Sequence, residues 1–257
     1  MLEVKDLSFS YGDRLILSDI SLKAEKGDFV SVLGSNGAGK STLFKCILGI
    51  LSGYSGTVSV DGQDTRTMSV REIARKIAYI PQMSASAFNY SVQDIVLMGT
   101  TVGLRALGSP GREEMARVEE AMERMGISHL RRRCFHHLSG GEKQLTVIAR
   151  ALAQQADILL LDEPCSALDF GNRFRILNVA KSLAVDGYLV IQTTHDPEGA
   201  YIFSDRIMAL RSGTVFAQGT PEEVLTSENI RELYGVSTKQ SSIFDDRVRV
   251  FTPDAIL

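Results

Sequence analysis

The sequence predicts an α/β fold in which a parallel core sheet is joined to an antiparallel β part and carries an inserted helical block. Three features predict it. The first sixty residues read as short strands separated by turns. From Phe29 to Ile47 a buried apolar strand runs into a Gly-rich loop and then a helix, the opening of an α/β unit. After Ser139, strands alternate with helices, as a parallel sheet requires.

The early strands are expected at Leu2 to Phe9, Leu15 to Leu22, Phe29 to Leu33, and Gly56 to Val60 before the turn Asp61-Gly62. Val92 to Leu130 has a helical pattern, with Glu113, Glu114, Arg117, Glu119, Glu120 and Arg124 on the wet face. Met115, Val118, Met122 and Met125 lie on the opposite face and read as core packing rather than a cofactor box. A helix from Ser139 to about Ala153, a strand Ile158 to Leu161, a helix Arg173 to Leu183 and a strand Tyr188 to Thr193 follow. The tail from Val236 to Leu257 is polar, and Arg247 to Phe251 is a candidate terminal strand.

With 257 residues and 44% hydrophobic content the chain can bury one large core with a smaller attached unit. A net charge of -3 supplies no basic field for phosphate backbones, so nucleic acid is not the expected partner, and the triplet Arg131-Arg132-Arg133 reads as a solvated face. No apolar stretch approaches the roughly 20 residues of a spanning helix, and the N-terminus lacks a secretory pattern, so a cytoplasmic address is expected. Cys46, Cys134 and Cys165 are widely spaced and fit a reducing compartment. Cys134-Phe135-His136-His137 offers metal-type ligands, but a fourth ligand is missing.

Gly34-Ser35-Asn36-Gly37-Ala38-Gly39-Lys40-Ser41 fits the phosphate-loop pattern G-x-x-x-x-G-K-[ST], between an apolar strand and a helix. Its glycines let backbone N–H groups converge on phosphate oxygens, Lys40 reaches the β/γ-phosphates, and Ser41 offers a Mg²⁺ ligand. The strand Ile158-Leu159-Leu160-Leu161 ends on Asp162-Glu163, a costly pair of buried carboxylates unless a cation or a water needs them there. Asp162 would hold the Mg²⁺ shell and Glu163 would polarise the attacking water. These two features leave kinases, GTPases and helicases open. Leu138-Ser139-Gly140-Gly141-Glu142 narrows them, because a Ser-Gly-Gly helix start makes a second anion-binding terminus.

With these motifs, Gln82 after Tyr79-Ile80-Pro81, Ser166-Ala167-Leu168-Asp169 and His195 in order, nearly the whole chain resembles the ATP-binding cassette subunits. The resemblance implies a P-loop NTPase cassette: a core of about 1–90 and 157–235 that includes the antiparallel part, a helical subdomain of about 91–156, and a tail of 236–257. It implies an ATPase using ATP and Mg²⁺, with Tyr11 stacking on adenine and Thr42 joining Gly34 to Ser41 around the nucleotide. Gln82 would contact Mg²⁺ and the nucleophilic water, and His195 the γ-phosphate. A second copy would dock head to tail, so that Leu138 to Glu142 of one copy closes over ATP held by the other, with Ser166 to Asp169 coupling the two sites.

Two departures stand out. Glu142 replaces the more common Gln, and Lys143-Gln144-Leu145 a more usual basic-Gln-basic run; this stretch also resembles the soluble cassette ATPase of iron–sulfur cluster assembly. Cys165 stands where Thr is common. Tyr79 to Gln82 followed by Phe88 to Gly99, with its Val-x-Asp-x-Val-x-Met-Gly run, resembles the coupling region of importers for iron chelates, haem and cobalamin, with Phe88 as a hydrophobic anchor. Gly219 to Leu225 resembles a stretch of importer cassettes and reads as a helix capped by Thr220 with Pro221 in its first turn. The implied partners are membrane permease subunits and, indirectly, a substrate-binding protein, with the chain peripheral on the cytoplasmic face of the inner membrane. Importers of a metal ion or an oxyanion such as molybdate, and the cluster-assembly ATPase, are the alternatives.

Overall fold

The computed structural model describes residues 1–82, 89–103 and 109–254. Strands β1 (Leu2–Tyr11), β2 (Arg14–Ala24) and β3 (Phe29–Leu33) lead into helix α1 (Lys40–Ile47), followed by β4 (Ser55–Val60), β5 (Gln63–Asp64), α2 (Val70–Lys76) and β6 (Ile77–Ile80). Helices α3 (Val92–Met98), α4 (Arg112–Arg124) and α5 (Gly140–Ala153) come next, then β7 (Ile158–Asp162), α6 (Phe170–Val185), β8 (Leu189–Thr194), α7 (Pro197–Phe203), β9 (Arg206–Arg211) and β10 (Thr214–Gly219). Helices α8 (Pro221–Val224) and α9 (Ser227–Tyr234) precede a hairpin of β11 (Thr238–Ile243) and β12 (Val248–Pro253).

Two sheets form the body. The antiparallel sheet has the order β2-β1-β4-β5, and the larger sheet the order β10-β9-β3-β8-β7-β6. In the larger sheet β9, β3, β8, β7 and β6 run parallel, and only β10 is antiparallel. Central strands β3 and β7 are buried along their full lengths, which explains their mostly apolar sequences, interrupted by Ser31 in β3 and by Asp162 at the end of β7. Between the two sheets lies one core with Leu7, Leu17, Phe44 and Val32; a second core joins α3, α4 and α5 to the other face through Val96, Met122, Ile148 and Phe29. Parallel strands align their carboxyl ends on one edge, and β3, β6, β7 and β8 all deliver a motif there.

The continuous helical pattern expected from Val92 to Leu130 is interrupted in the structure. Helix α3 ends at Met98, and a Cβ on Gly99 would lie 2.1 Å from the Arg150 carbonyl oxygen, so the chain presses directly against α5 there. Pro110-Gly111 then opens α4. Val118, Met122 and Met125 are buried as expected, and Met115 is half-buried. The tail is a two-stranded hairpin of its own, in which β12 starts one residue after the expected Arg247, continues past Phe251 to Pro253, and pairs with β11. Helix α8 has the expected cap, Thr220 accepting from the Glu223 N–H with Pro221 in the first turn. Phe88, the expected anchor of a partner protein, lies outside the described residues.

Candidate nucleotide site

The phosphate loop leaves β3 at Gly34 and enters α1 at Lys40. Two of its glycines are required by geometry. Gly39 has φ 101°, and a Cβ there would stand 2.6 Å from Leu17 Cδ2; a Cβ on Gly34 would stand 2.6 Å from the Leu210 carbonyl oxygen. Neighbouring strands thus brace the loop, while Ser35, Asn36 and Gly37 are exposed and Ala38 is buried. No side chain caps α1, so its first N–H groups remain available to an anion. Ser41 is exposed and Thr42 half-buried behind it.

Lys40, 4% exposed, donates to the Gly34 and Ser35 carbonyl oxygens at 2.8 and 3.2 Å and lies 3.4 Å from Glu163 Oε1. Asp162 is buried at the end of β7, where Oδ1 accepts from Ser41 Oγ at 3.2 Å and Thr193 Oγ1 at 2.6 Å, and Oδ2 accepts from the Tyr79 hydroxyl at 3.1 Å. Burial, then the neighbouring carboxylate, pushes the Tyr79 phenol above its ordinary pKa, so it remains a donor. Glu163 has φ 47°, an uncommon left-handed conformation for a side-chain-bearing residue, and its N–H donates to Thr193 Oγ1 at 2.9 Å. Its Oε2 accepts from Gln82 Nε2 at 3.3 Å and lies 3.6 Å from His195 Nδ1. Lys40, Ser41, Gln82, Asp162, Glu163 and His195 are therefore one cluster.

Tyr79 and Thr193 were not singled out as site residues by sequence. Thr193 pairs with Asp162 in the β7–β8 register, and the polar run Gln192-Thr193-Thr194 that closes the apolar stretch Leu189–Ile191 was the available signal.

Other expected site residues lie around this cluster. Tyr11 is 47% exposed beside the β1–β2 turn, its ring edge-on to buried Phe9. Ser139 and Gly140 are exposed at the start of α5, between buried Leu138 and Gly141. Glu142 forms a capping box: its carboxylate accepts from the Ser139 N–H and hydroxyl at 2.8 Å each, and its own N–H donates to Ser139 Oγ at 3.3 Å. Those bonds hold its carboxyl below the ordinary carboxylate pKa. Ser166 and Ala167 are exposed and Leu168 half-buried, with Ser166 Oγ 3.3 Å from Gln82 Nε2. Asp169 caps α6, accepting from the Asn172 N–H at 2.8 Å.

A phosphate loop, a strand-end carboxylate pair and a polar residue beyond each of two neighbouring strands provide the means to bind a nucleoside triphosphate and activate water against it. Known proteins agree with this chemistry. The family profile described as "ABC transporter" matches residues 17–166. The "Hemin import ATP-binding protein HmuV" of Bordetella avium is 37% identical over 243 residues, 91% of this chain and 92% of that protein. The "Probable iron chelatin transport ATP-binding protein" of Helicobacter pylori strain J99 is 36% identical over 254 residues, 98% of this chain and 99% of that protein. Among solved structures, one described as an inward-facing metal-chelate type ABC transporter superposes with a TM-score of 0.87 at 33% identity, covering 98% of this chain and 96% of that one. The chain belongs to the ABC transporter family and is one of its ATP-hydrolysing subunits.

Proposed function

We propose that the chain powers a membrane importer of metal complexes of the iron-chelate, haem or cobalamin kind. The observation that carries this reading is near full-length similarity to ATP-binding proteins named for iron chelatin transport and for hemin import. The Val92 to Gly99 run, which forms α3, supports it. In this reading residues 1–90 and 157–235 act as the nucleotide-binding core, 91–156 as a helical subdomain and 236–257 as a tail. The chain works at the cytoplasmic face of the inner membrane, bound to permease subunits that a substrate-binding protein supplies.

Within the site, Gly34 to Thr42 hold the phosphates, Tyr11 stacks on adenine, and Lys40 moves from Glu163 to the β/γ-phosphates. Glu163 takes the proton of the attacking water, which Gln82 and His195 orient from the Oε2 side. Ser41 and Asp162 fit a magnesium ion, since both present hard oxygens and sit 3.2 Å apart, with Gln82 as a third donor. Among the described residues no group of three or more His, Cys, Asp or Glu is gathered for a metal, so phosphate and water would complete the shell, as magnesium commonly requires. Bound there, magnesium would neutralise charge on the β- and γ-phosphates.

The exposed Ser139-Gly140 start of α5 is a half-site in this reading. A second copy docks head to tail, each copy's Leu138 to Glu142 closing over ATP held by the other, and Ser166 to Asp169 meet across the interface. Hydrolysis and phosphate loss remove the charge that both faces grip, so the pair opens and pulls on the permease.

Affinity purification of the tagged chain from its native membranes in mild detergent tests the reading. Recovery of a polytopic membrane protein is the expected result. Recovery of soluble partners alone would replace the importer with a cluster-assembly ATPase.

A further inference from the structure

Beside the nucleotide cluster, a cavity of about 180 Å³ is lined by Glu163, Cys165, Arg173, His195, Asp196 and Gly199, among others. Arg173 belongs to the first turn of α6 and crosses this cavity to the residue that follows His195. Its Nη1 lies 3.2 Å from Asp196 Oδ2, with the side chains only 29% and 23% exposed. The guanidinium carbon stands 5.6 and 5.3 Å from the ring centroids of Phe170 and Phe174. Its Nε is buried and finds no hydrogen-bond partner among the described residues. Stacking and charge together fix this side chain, which Lys could not reproduce. The Asp196 carboxylate is equally constrained, because a Cβ on Gly199 would lie 2.5 Å from Oδ2.

The same turn of α6 touches the start of α5. Asn172 Nδ2 donates to Asp169 Oδ2 at 2.8 Å, and a Cβ on Gly141 would lie 2.3 Å from Asn172 Oδ1. One short segment, Asp169 to Arg173, is thus held to Gly141 on one side and to the His195 loop on the other.

We propose that Arg173 is a positioning residue for His195, acting through Asp196, and that it ties the His195 loop to the α5 start within one chain. The inference rests on the function proposed above, in which His195 serves the chain's own ATP and α5 serves the ATP of the second copy. Arg173 touches neither nucleotide. Its side chain sets where the backbone at Asp196 lies, and with it the imidazole one residue earlier.

The test is ATP turnover and ATP-binding stoichiometry of the purified full chain carrying Arg173→Gln or Asp196→Asn, each made alone, together, and with His195→Ala. Each single change is expected to lower kcat by about tenfold or more while KM and binding stoichiometry stay within about twofold, the signature of misplacement in the reacting state. The pair together should be no slower than the slower single variant, and neither should slow His195→Ala further, as read by single-turnover hydrolysis. Unchanged kcat in Arg173→Gln would overturn the proposal, as would a loss that adds to His195→Ala or that tracks lost binding stoichiometry. A His195→Ala chain turning over at the wild-type rate would instead overturn the role of His195 on which the proposal stands.

Discussion

The Lys40 ammonium and the Glu163 carboxylate form an ion pair beside the phosphate loop, 3.4 Å apart and 4% and 15% exposed. In the same arrangement Lys40 spends two further donors on the Gly34 and Ser35 carbonyls. In the proposed site, ATP would draw Lys40 away from these partners and set its γ-phosphate near the Glu163 carboxylate. Glu163→Gln therefore has two separable consequences. Turnover should fall at least about a hundredfold through loss of the general base, while ATP affinity should rise because a competing negative charge is gone. Phosphate release and equilibrium ATP titration on one preparation check both, and undiminished turnover would remove Glu163 from the base role.

Lys40→Ala removes a buried, charge-assisted donor and should weaken ATP binding by about ten- to a hundredfold, from the usual 1.5–3 kcal/mol of such bonds. Calorimetric titration of the full chain with ATP reads this directly. Retained affinity would mean that the loop backbone holds the phosphates without the lysine.

The capping box explains how α5 accommodates Glu142 in place of the more common Gln. A carboxylate that accepts from Ser139 at the positive end of a helix stabilises that end, and its lowered pKa fixes the sign of the pH effect. Stabilisation is present above the unfolded-state pKa of about 4.3 and is lost as pH falls through the lower folded-state value. Glu142→Gln should therefore lower the Tm near neutral pH, and the gap to wild type should close below about pH 4. Thermal unfolding across this range checks it, and a gap that persists at low pH would assign the cost to packing.

Much of this site was legible because its motifs are local: glycines that a tight loop demands, a lysine at a helix start, and carboxylates closing an apolar strand. The strand Phe29–Leu33 and the helix capped by Ser139 and running to Ala153 match their expected positions, since a mostly apolar run ending at a Gly-rich loop and a Ser139 cap with Glu142 three residues on mark them in the sequence. Contacts between distant segments were not legible. Thr193 and Tyr79 reach Asp162 from two other strands, and only the β6–β7–β8 register reveals that they converge. The break after Met98 was hidden for a similar reason: the helical spacing of apolar residues continues, and the close approach of Arg150 to Gly99 is a tertiary fact.

Arg249 carries the tail's attachment to the body. Buried at 8% exposure, it donates to the Glu222 and Leu225 carbonyls at 2.9 and 3.1 Å, pairs with Asp246, and lies 4.9 Å over the Tyr201 ring. Arg249→Ala should cost about 1–3 kcal/mol of local stability, because carbonyls at the end of α8 lose their donor. Limited proteolysis should then cut within 236–254 while the remaining body stays intact, and ATP turnover should hold. A cleavage pattern like that of wild type would show that β-pairing and the other tail contacts suffice to hold the hairpin.

Thr193 is the joint between Asp162 and Glu163, because one hydroxyl donates to the Asp162 carboxylate and accepts from the Glu163 backbone N–H. Thr193→Val keeps the shape and removes both bonds, leaving a buried carboxylate short of a donor and an N–H at a left-handed residue without its acceptor. The expected loss of unfolding free energy is about 1–3 kcal/mol, typical of unsatisfied buried polar groups. Asp162 would also lose one of its three side-chain donors, keeping only Ser41 and Tyr79, so the magnesium concentration giving half-maximal turnover should rise more than the KM for ATP. Chemical denaturation and a magnesium titration at saturating ATP separate the two effects. Lost stability with an unshifted magnesium requirement would confine Thr193 to the fold, whereas a shift in both would make it part of how the carboxylate pair is aimed.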